Sequence, residues 1–398
     1  MAVFNQTMDV TQSGFIVKET DSERGRALFA SRDFKEGDTI FEEDPLVCSQ
    51  FLWNAAYSYT ACDHCMRSLE TAQDMARRLS SNPTLELPYS AECCAVTKAG
   101  EPISYCPQCN VAYCSENCRI KALDQYHRIL CLGTSTPDPN HPLVKLQETW
   151  KNIHYPPETA NIMLIARIMA TILQATNSDV KKGSFSHFCS NVVNKEQQIA
   201  HKLLGLHFQE QLDMIRILLS EAMYDDRLEQ WFTPEGFSSL FALVGTNGQG
   251  IGTSSLSLYV HNIDSYPALS DDERQAIDIF LNQLYEEMER VSGQFLNCEG
   301  AGLYALQSSC NHSCAPNAEV TFPKNNSTLV LKALHPIKNG EEICISYLEE
   351  CQRERSRHSR LKYLRENYIF DCTCTKCELQ ANEPDESSSD GDDEHDDE

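Results

Sequence analysis

The sequence predicts an α+β protein of small sheets and helices whose fold depends on bound zinc. Three observations support this class: zinc-type sets of cysteine and histidine residues, short strand-like runs near both ends of the chain, and apolar stripes of helical period between them. With 398 residues, the chain can bury a large core and is expected to form two or three structural units.

Short strands are expected in residues 28–47, ahead of the cysteine-rich region. Lys35-Glu36-Gly37-Asp38 interrupts this run with polar residues and a glycine, which are typical of a turn. The segment is therefore predicted to form strands joined by that turn.

Eight metal-ligand candidates lie in four closely spaced pairs within residues 62–131. Zinc binds four tetrahedral sulfur or nitrogen ligands, and two such residues on one turn supply half a site. Four pairs therefore predict two zinc ions, and the interleaving of the last three pairs favours a cross-braced module. The pairs are Cys62 with Cys65, Cys106 with Cys109, Cys114 with Cys118, and His127 with Cys131.

A second cluster near the C-terminal end consists of Cys372, Cys374 and Cys377, which leave a tetrahedral site one ligand short. A distant residue must complete the site, and ligand count selects Cys314 as the candidate. A shared zinc would hold the C-terminal segment against the loop that carries Cys314, so the sequence predicts three structural zinc ions in total.

Other interpretations of these cysteines are a buried reduced set, a disulfide network or, for the C-terminal trio, a redox role. The first ten residues lack the basic region and apolar core of a signal peptide, which argues against disulfides. Cys93 and Cys94 lie between the first two ligand pairs and could compete for metal. Most of the remaining cysteines are expected to be buried as small hydrophobic residues.

Helices are expected after a linker at residues 134–142. Two apolar stripes of helical period are interpreted as core faces. A third helix is expected near residues 270–291, where Ser270 and Glu273 match a capping box. Short strands should follow at residues 318–322, 328–334 and 343–347. The stripes are Ile165, Ile168, Met169, Ile172 and Leu173, and Leu212, Ile215, Leu218, Leu219 and Met223.

The charge of the chain limits its partners. The net charge is −25, and the last 16 residues contain ten acidic residues and no lysine or arginine, which leaves the rest of the chain at −15. An acidic body argues against direct nucleic-acid binding and is compatible with basic protein substrates. The longest apolar stretch, residues 162–173, is too short to cross a bilayer, so we expect no membrane contact.

Several segments resemble the SET-and-MYND-domain family of protein-lysine methyltransferases. The cysteine-rich region, with Tyr113-Cys114-Ser115, is similar to a MYND zinc finger. The residues around Arg24 and Arg26, followed by Glu43-Asp44-Pro45, resemble the start of a SET domain. The catalytic half and the post-SET segment are matched by Asn311-His312-Ser313-Cys314, by Ile345-Ser346-Tyr347, and by Tyr368-x-Phe370 before the last three cysteines.

The resemblance implies a SET-type β fold of small sheets with an inserted MYND zinc finger, a helical insert and a zinc-bound post-SET segment. We expect no C-terminal helical-repeat domain. The implied units are the N-terminal SET part at residues 15–50, the zinc finger with a long internal insertion at 62–131, the helical insert at 143–240, the catalytic half at 241–350 with a helical insertion at about 265–292, the post-SET segment at 351–378, and a disordered acidic tail at 383–398.

The same resemblance implies the roles of individual residues. Tyr347 is implied to be the catalytic tyrosine, with Tyr368 lining the channel for the target lysine. The cofactor S-adenosyl-L-methionine is implied to contact residues from both ends of the chain. These are Arg24, Arg26, Asn247, Asn311, His312 and Phe370.

The implied function is S-adenosylmethionine-dependent methylation of lysine side chains in histone or non-histone proteins, ribosomal ones included. The alternative is a catalytically weak zinc-finger module that binds proteins. Expected partners are basic, lysine-bearing proteins and, at the zinc finger, Pro-rich peptides; neither nucleic acid nor a membrane is expected to bind directly. We expect a monomer in the cytoplasm, with the nucleus left open as a second location.

Overall fold

The structure is a computed structural model that describes residues 14–20, 25–94, 100–153, 161–194, 199–204 and 208–383. As the sequence predicts, its strands are short and form small sheets. Within these residues the strands are β1 (Phe15–Glu19), β2 (Arg26–Ala30), β3 (Thr39–Glu43), β4 (Val47–Gln50), β5 (Ser104–Tyr105), β6 (Ala112–Tyr113), β7 (Val193–Asn194), β8 (Ile199–Ala200), β9 (Gln249–Thr253), β10 (Cys298–Leu303), β11 (Asn311–His312), β12 (Ala318–Thr321), β13 (Leu329–Ala333) and β14 (Cys344–Ile345).

The helices occupy the middle of the chain and its C-terminal part. The described α-helices are α1 (Ala72–Leu79), α2 (Ser90–Cys93), α3 (Glu116–Ala122), α4 (Arg128–Leu130), α5 (Pro142–Ile153), α6 (Ile162–Gln174), α7 (Ser178–Gly183), α8 (Gln209–Met223), α9 (Pro234–Asn247), α10 (Ser255–Asp264), α11 (Asp271–Ser292), α12 (Glu350–Arg353), α13 (Arg357–Tyr368) and α14 (Thr375–Leu379). A π-helical turn, Leu123–His127, joins α3 to α4.

The sheets join the two ends of the chain. Strand β10 lies between β4 and β9, and β13 lies between β12 and β3, so residues before the cysteine-rich region pair with residues near the C-terminal end. The predicted turn before β3 is present: the Lys35 amide donates to Asp38 Oδ2 at 2.9 Å, and Gly37 has a φ of +81°, which glycine adopts without strain. A hydrophobic core that includes Leu28, Phe41 and Leu331 fills the space between these sheets.

A second core surrounds α6. Ten residues of α6 are buried, so the helix is enclosed on all sides rather than along one stripe. Burial of each large aliphatic side chain contributes about 1.5–3 kcal/mol relative to an exposed one. Asn161 begins the helix, because its side chain accepts from the Leu164 amide at 3.1 Å and donates to the Ser49 carbonyl at 2.9 Å. The cap therefore fixes α6 against β4.

A third core joins two insertions that are far apart in sequence. Helix α1, which lies between Cys65 and Cys106, packs against α10 and α11. Tyr259 donates to the Pro88 carbonyl at 2.8 Å, and Ser292 donates to the Leu79 carbonyl at 2.7 Å. The long excursion inside the zinc-binding region is thus a folded unit that is completed by the helical insertion of the other half.

Most of the predicted elements are confirmed, with differences in extent. The capping box at Ser270 is present, and α11 begins at the next residue. Helix α10 and helix α13 were not predicted, and the helical insertion begins at Ser255 rather than near residue 265. The expected strand at residues 343–347 was too long: only β14 is a strand, and the Tyr347 amide beyond it donates to the His312 side chain instead of a strand partner. No helix of the described residues is long and apolar enough to span a membrane.

Candidate active site and metal centres

The cysteine and histidine candidates form three compact groups, each with four potential ligand atoms within 4.8 Å of one another. All cysteines of the described residues are free thiols. The groups are Cys62, Cys65, Cys114 and Cys118; Cys106, Cys109, His127 and Cys131; and Cys314, Cys372, Cys374 and Cys377. The first two groups alternate along the chain, as the predicted cross-braced module requires.

Distances within the groups fit tetrahedral zinc. Zinc–sulfur bonds of 2.3 Å place tetrahedral sulfur ligands about 3.8 Å apart. The Cys65 and Cys114 sulfurs are 3.6 Å apart, the Cys106 and Cys131 sulfurs 3.9 Å, and the Cys314 and Cys377 sulfurs 3.6 Å. All three groups could therefore hold a metal ion with four protein ligands, which leaves no open coordination position.

Local backbone geometry positions the ligands. The Met66 amide donates to the Cys62 carbonyl at 2.8 Å, and Met66 has a φ of +60°, which forms the tight turn that brings Cys62 and Cys65 together. The β5–β6 hairpin forms the corresponding turn between Cys106 and Cys109. Cys93 and Cys94 belong to none of the metal groups that the described residues form.

The third group brings the C-terminal segment against β11. Cys314 follows β11 by two residues, and the other three ligands belong to the segment that leads into α14. Arg360 of α13, which is 1% exposed, donates to Cys377 Sγ at 3.6 Å and to Gln380 Oε1 at 2.7 Å. This buried guanidinium offsets part of the negative charge that a set of thiolates would carry.

His312 connects this group to the predicted catalytic tyrosine. The Tyr347 amide donates to His312 Nδ1 at 2.9 Å, so the ring proton of the neutral imidazole lies on Nε2. That nitrogen is 3.3 Å from Cys314 Sγ and can donate to it. Strands β11 and β14 are parallel, and pairing of His312 with Ile345 places the two segments side by side.

The rings of Tyr347 and Phe370 contact His312, and Tyr368 packs against Tyr347. The ring centroids of Tyr347 and Tyr368 are 4.8 Å apart, and Phe370 stands edge-on to Tyr347 at 6.2 Å. The Tyr347 hydroxyl donates to the Cys310 carbonyl at 2.8 Å. Burial raises the pKa of both tyrosines above the usual range, so both hydroxyls stay protonated at neutral pH. They can donate hydrogen bonds but cannot act as bases.

The predicted cofactor residues lie in two groups. Asn311 and Phe370 accompany His312, with the Asn311 side chain donating to Glu342 Oε1 at 2.8 Å. Arg26 and Asn247 instead donate to two carbonyls of one segment, those of His187 at 2.6 Å and of Cys189 at 2.8 Å. Arg24 lies outside the described residues, as does nearly all of the predicted acidic tail.

Sequence reasoning missed three polar residues near this site. Glu43 accepts from the amides of Leu306 at 2.9 Å and Gln307 at 3.0 Å, and burial raises its pKa to about 7. Gln249 and Gln307 contact each other through their side-chain amides at 3.0 Å. Their positions in the sequence, Gln249 close to Asn247 and Gln307 close to Asn311, could have indicated that both glutamines belong to the site.

Comparison with known proteins identifies the family. The SET domain family matches residues 25–348. The protein-lysine N-trimethyltransferase SMYD5 of Gallus gallus is 58% identical over 92% of this chain and 86% of its own length, and that of Homo sapiens is 56% identical over 94% and 88%. The chain belongs to the SET-and-MYND-domain family of protein-lysine methyltransferases. The family predicted from the sequence is thereby confirmed.

More distant proteins also match. The histone-lysine N-methyltransferase SMYD3 of Homo sapiens is 24% identical over 93% of this chain and 63% of its own length. A solved structure of the SET domain of LSMT, bound to lysine and AdoHcy, aligns with 91% of this chain and 55% of that chain at 11% identity and a TM-score of 0.30. Assignment of the first two metal groups to a MYND-type finger stays a prediction.

Proposed function

We propose that this member of the SET-and-MYND-domain family transfers methyl groups from S-adenosyl-L-methionine to lysine side chains of histone or non-histone proteins, ribosomal proteins included. The observation that supports this most directly is the arrangement of Tyr347, whose hydroxyl and amide are both fixed beside Asn311-His312 and the aromatic rings of Tyr368 and Phe370. The names of the relatives support lysine as the target and trimethyl-lysine as the product.

The reaction requires a neutral lysine amine. With a pKa of about 10.4, lysine is mostly protonated at pH 7, which adds about 5 kcal/mol to the barrier. Aromatic walls formed by Tyr347 and Tyr368 would lower the pKa of the amine by excluding water, and their protonated hydroxyls cannot stabilise the ammonium form as a carboxylate would. The remaining contribution is alignment of the amine with the methyl group.

The cofactor would lie between the two groups of predicted residues. Arg26 and Asn247 are proposed to contact it on one side, with Asn311 and Phe370 on the other. Both ring nitrogens of His312 are engaged within the protein, so a contact between His312 and the cofactor would use the backbone. The three metal ions are proposed to be structural zinc, because each of the three groups already offers four protein ligands.

The partners follow from the charge of the chain and the names of its relatives. A net charge of −25 favours encounter with basic proteins, such as histones and ribosomal proteins, and disfavours nucleic acid. Binding of Pro-rich peptides at residues 62–131, a monomeric state and a cytoplasmic location remain predictions.

Tyr347→Phe tests the proposed function. The protein and its variant would be incubated with tritiated S-adenosylmethionine and with core histones or ribosomal proteins. We expect the variant to lose about tenfold or more of the transfer rate, because the hydroxyl that orients the reacting groups is gone while the ring still fills its space.

Cofactor affinity, measured by calorimetry, should change little in Tyr347→Phe. Tyr105→Phe is the matched control, since Tyr105 is half-exposed and lies in the β5–β6 hairpin away from Tyr347. A wild-type protein that labels neither substrate class would overturn the proposal. Wild-type turnover in Tyr347→Phe would overturn the role given to the hydroxyl.

A further inference from the structure

Gln307 carries a buried acceptor that has no partner among the described residues. The residue is 7% exposed, and its Oε1 atom is fully enclosed without a hydrogen bond. A buried polar atom without a hydrogen bond costs about 1–3 kcal/mol. Such an atom requires an explanation, and a catalytic role in which a ligand supplies the missing donor is one.

The orientation of this amide follows from its neighbours. The Gly250 carbonyl can only accept, so the Gln249 side chain must present Nε2 to it, at 3.1 Å. Gln249 Oε1 then faces Gln307, which must present its own Nε2, at 3.0 Å. Gln307 Oε1 is therefore the free acceptor, and no flip of either amide is consistent with both contacts.

The backbone of Gln307 is linked to the predicted catalytic tyrosine through Cys310. The Gln307 carbonyl accepts from the Cys310 amide at 2.9 Å, and the Cys310 carbonyl accepts from the Tyr347 hydroxyl at 2.8 Å. Gln249 lies on the same face of β9 as Ile251, because side chains two residues apart in a strand share a face. Ile251 belongs to the core cluster that contains Cys310 and contacts Tyr347.

Hydrogen bonds to Glu43 hold the backbone around Gln307 in place. Glu43 accepts from the Leu306 and Gln307 amides through separate carboxylate oxygens, and the side chain of Gln307 is fixed by Gln249. The acceptor therefore has a defined direction before any substrate binds, which is what orientation of a small group requires.

We propose that Gln307 Oε1 accepts an N–H of the target lysine amine and turns the nitrogen lone pair toward the methyl donor, with Gln249 fixing the amide. This inference rests on the proposed function. In the transfer, the lone pair forms the new N–C bond while the C–S bond of the sulfonium breaks and its electron pair stays on sulfur. Before transfer, the ammonium group of the lysine becomes neutral by releasing a proton to water.

The number of available donors falls with each transfer. A neutral unmethylated amine has two N–H groups, a monomethylated amine has one and a dimethylated amine has none. Gln307 can thus orient the amine in the first two transfers but has no donor to accept from in the third. Loss of the acceptor should therefore slow the early transfers selectively, which a purely structural role would not do.

Gln307→Met, which keeps a similar side-chain length and offers only a weak sulfur acceptor, tests this inference. The probes are core histones and ribosomal proteins, either untreated or converted to dimethyl-lysine by reductive methylation with formaldehyde. With tritiated S-adenosylmethionine, we expect kcat/KM on the untreated proteins to fall about three- to tenfold. The rate on the dimethylated proteins should stay unchanged.

Two further variants make the result decisive. Gln147→Met is the control, because its side-chain amide lies on α5 and contacts only the sulfur of Met163, at 3.8 Å, among the described residues. The double variant Gln249→Met/Gln307→Met removes both amides together and should keep the same selectivity with an unchanged or higher Tm, since an orphaned acceptor is removed.

Equal losses on both forms of the substrate, or no loss on the untreated form, would overturn the inference while leaving the proposed function intact. If the wild type does not modify dimethyl-lysine, the untreated substrate decides: a loss at unchanged Tm supports the inference, and a loss that follows a lowered Tm overturns it. A wild type without any transfer activity would instead overturn the proposed function.

Discussion

At the scale of single residues, His312 serves two neighbours that lie on different segments. Its Nδ1 accepts from the Tyr347 amide and its Nε2 faces Cys314 Sγ. The sequence motif indicates that this histidine belongs to the site, but the side chain itself is engaged within the protein. The sequence could predict that a histidine belongs to the site. It could not predict which group each ring nitrogen contacts, because those contacts depend on β11 and β14 lying side by side.

Glu43 gives a pH-dependent prediction at the same scale. Burial raises its pKa in the folded protein to about 7, above an unfolded value near 4.5. The folded state then binds more protons between these two values, so the free energy of unfolding should decrease as the pH rises from about 4.5 to 7. Since Glu43 is only half-buried, we expect a contribution on the order of 1–2 kcal/mol.

Urea unfolding of the wild type and of Glu43→Gln between pH 5 and pH 8 would measure this contribution. As the pH rises across this range, the free energy of unfolding of Glu43→Gln should increase relative to that of the wild type, because glutamine does not titrate. Glu42→Gln is the matched control, as Glu42 is exposed on the same strand. Parallel stability curves for the wild type and Glu43→Gln would contradict the assigned pKa.

At the scale of elements, the number of zinc ligands predicted the arrangement of the C-terminal segment better than hydrophobic periodicity did. Three closely spaced cysteines required a distant fourth ligand, and Cys314 lies within 4.8 Å of all three. Helix α13 was missed, since only Leu361 and Leu364 are buried apolar residues in an otherwise charged sequence. Arg360 also holds the helix, because it is buried against Cys377 and Gln380. A contact between one arginine and residues 17 and 20 positions later leaves no periodic pattern in the sequence.

Cys377→Ser should reduce the zinc content, measured by inductively coupled plasma mass spectrometry, from three ions to two per chain. The remaining three ligands cannot complete a tetrahedral site, and the binding energy of such a site is folding energy for the segment it closes. Hydrogen exchange should therefore increase in α13, in α14 and at the Tyr347 amide, which His312 links to Cys314.

Cys351→Ser is the matched control for Cys377→Ser. Cys351 is exposed and belongs to none of the metal groups formed by the described residues. Two zinc ions in the wild type would exclude the third centre. Three ions in Cys377→Ser would show that another ligand can replace Cys377.

At the scale of the whole molecule, Arg167 connects units that are separate in sequence. Its guanidinium donates to the Cys48 and Asp63 carbonyls, both at 2.7 Å, and forms an ion pair with the Asp63 carboxylate. It also lies 4.3 Å from the ring centroid of Tyr126, whose hydroxyl donates to Asp63 Oδ2 at 3.0 Å. Helix α6, strand β4 and the cysteine-rich region therefore meet at one buried cation.

This junction could not be predicted from the sequence. In the sequence, Arg167 only interrupts an apolar stretch. This helps to exclude a membrane span but does not indicate which residues Arg167 contacts. Its partners Cys48 and Asp63 lie 119 and 104 residues earlier in the chain. Contacts of this kind depend on tertiary packing, whereas the strands, caps and ligand pairs that were predicted correctly depend on neighbouring residues.

Arg167→Met should lower the free energy of unfolding by about 3 kcal/mol, because the Asp63 carboxylate loses its positive partner and the Cys48 carbonyl loses the Arg167 donor in a buried region. Removal of both charges in Arg167→Met/Asp63→Asn should restore part of this loss, since no unpaired charge remains. Arg227→Met, which breaks an exposed ion pair with Asp225, should cost less than about 1 kcal/mol. Urea unfolding of the wild type, Arg167→Met, Asp63→Asn and the double variant gives the coupling energy. Additive losses at Arg167 and Asp63 would show that the pair does not hold these units together.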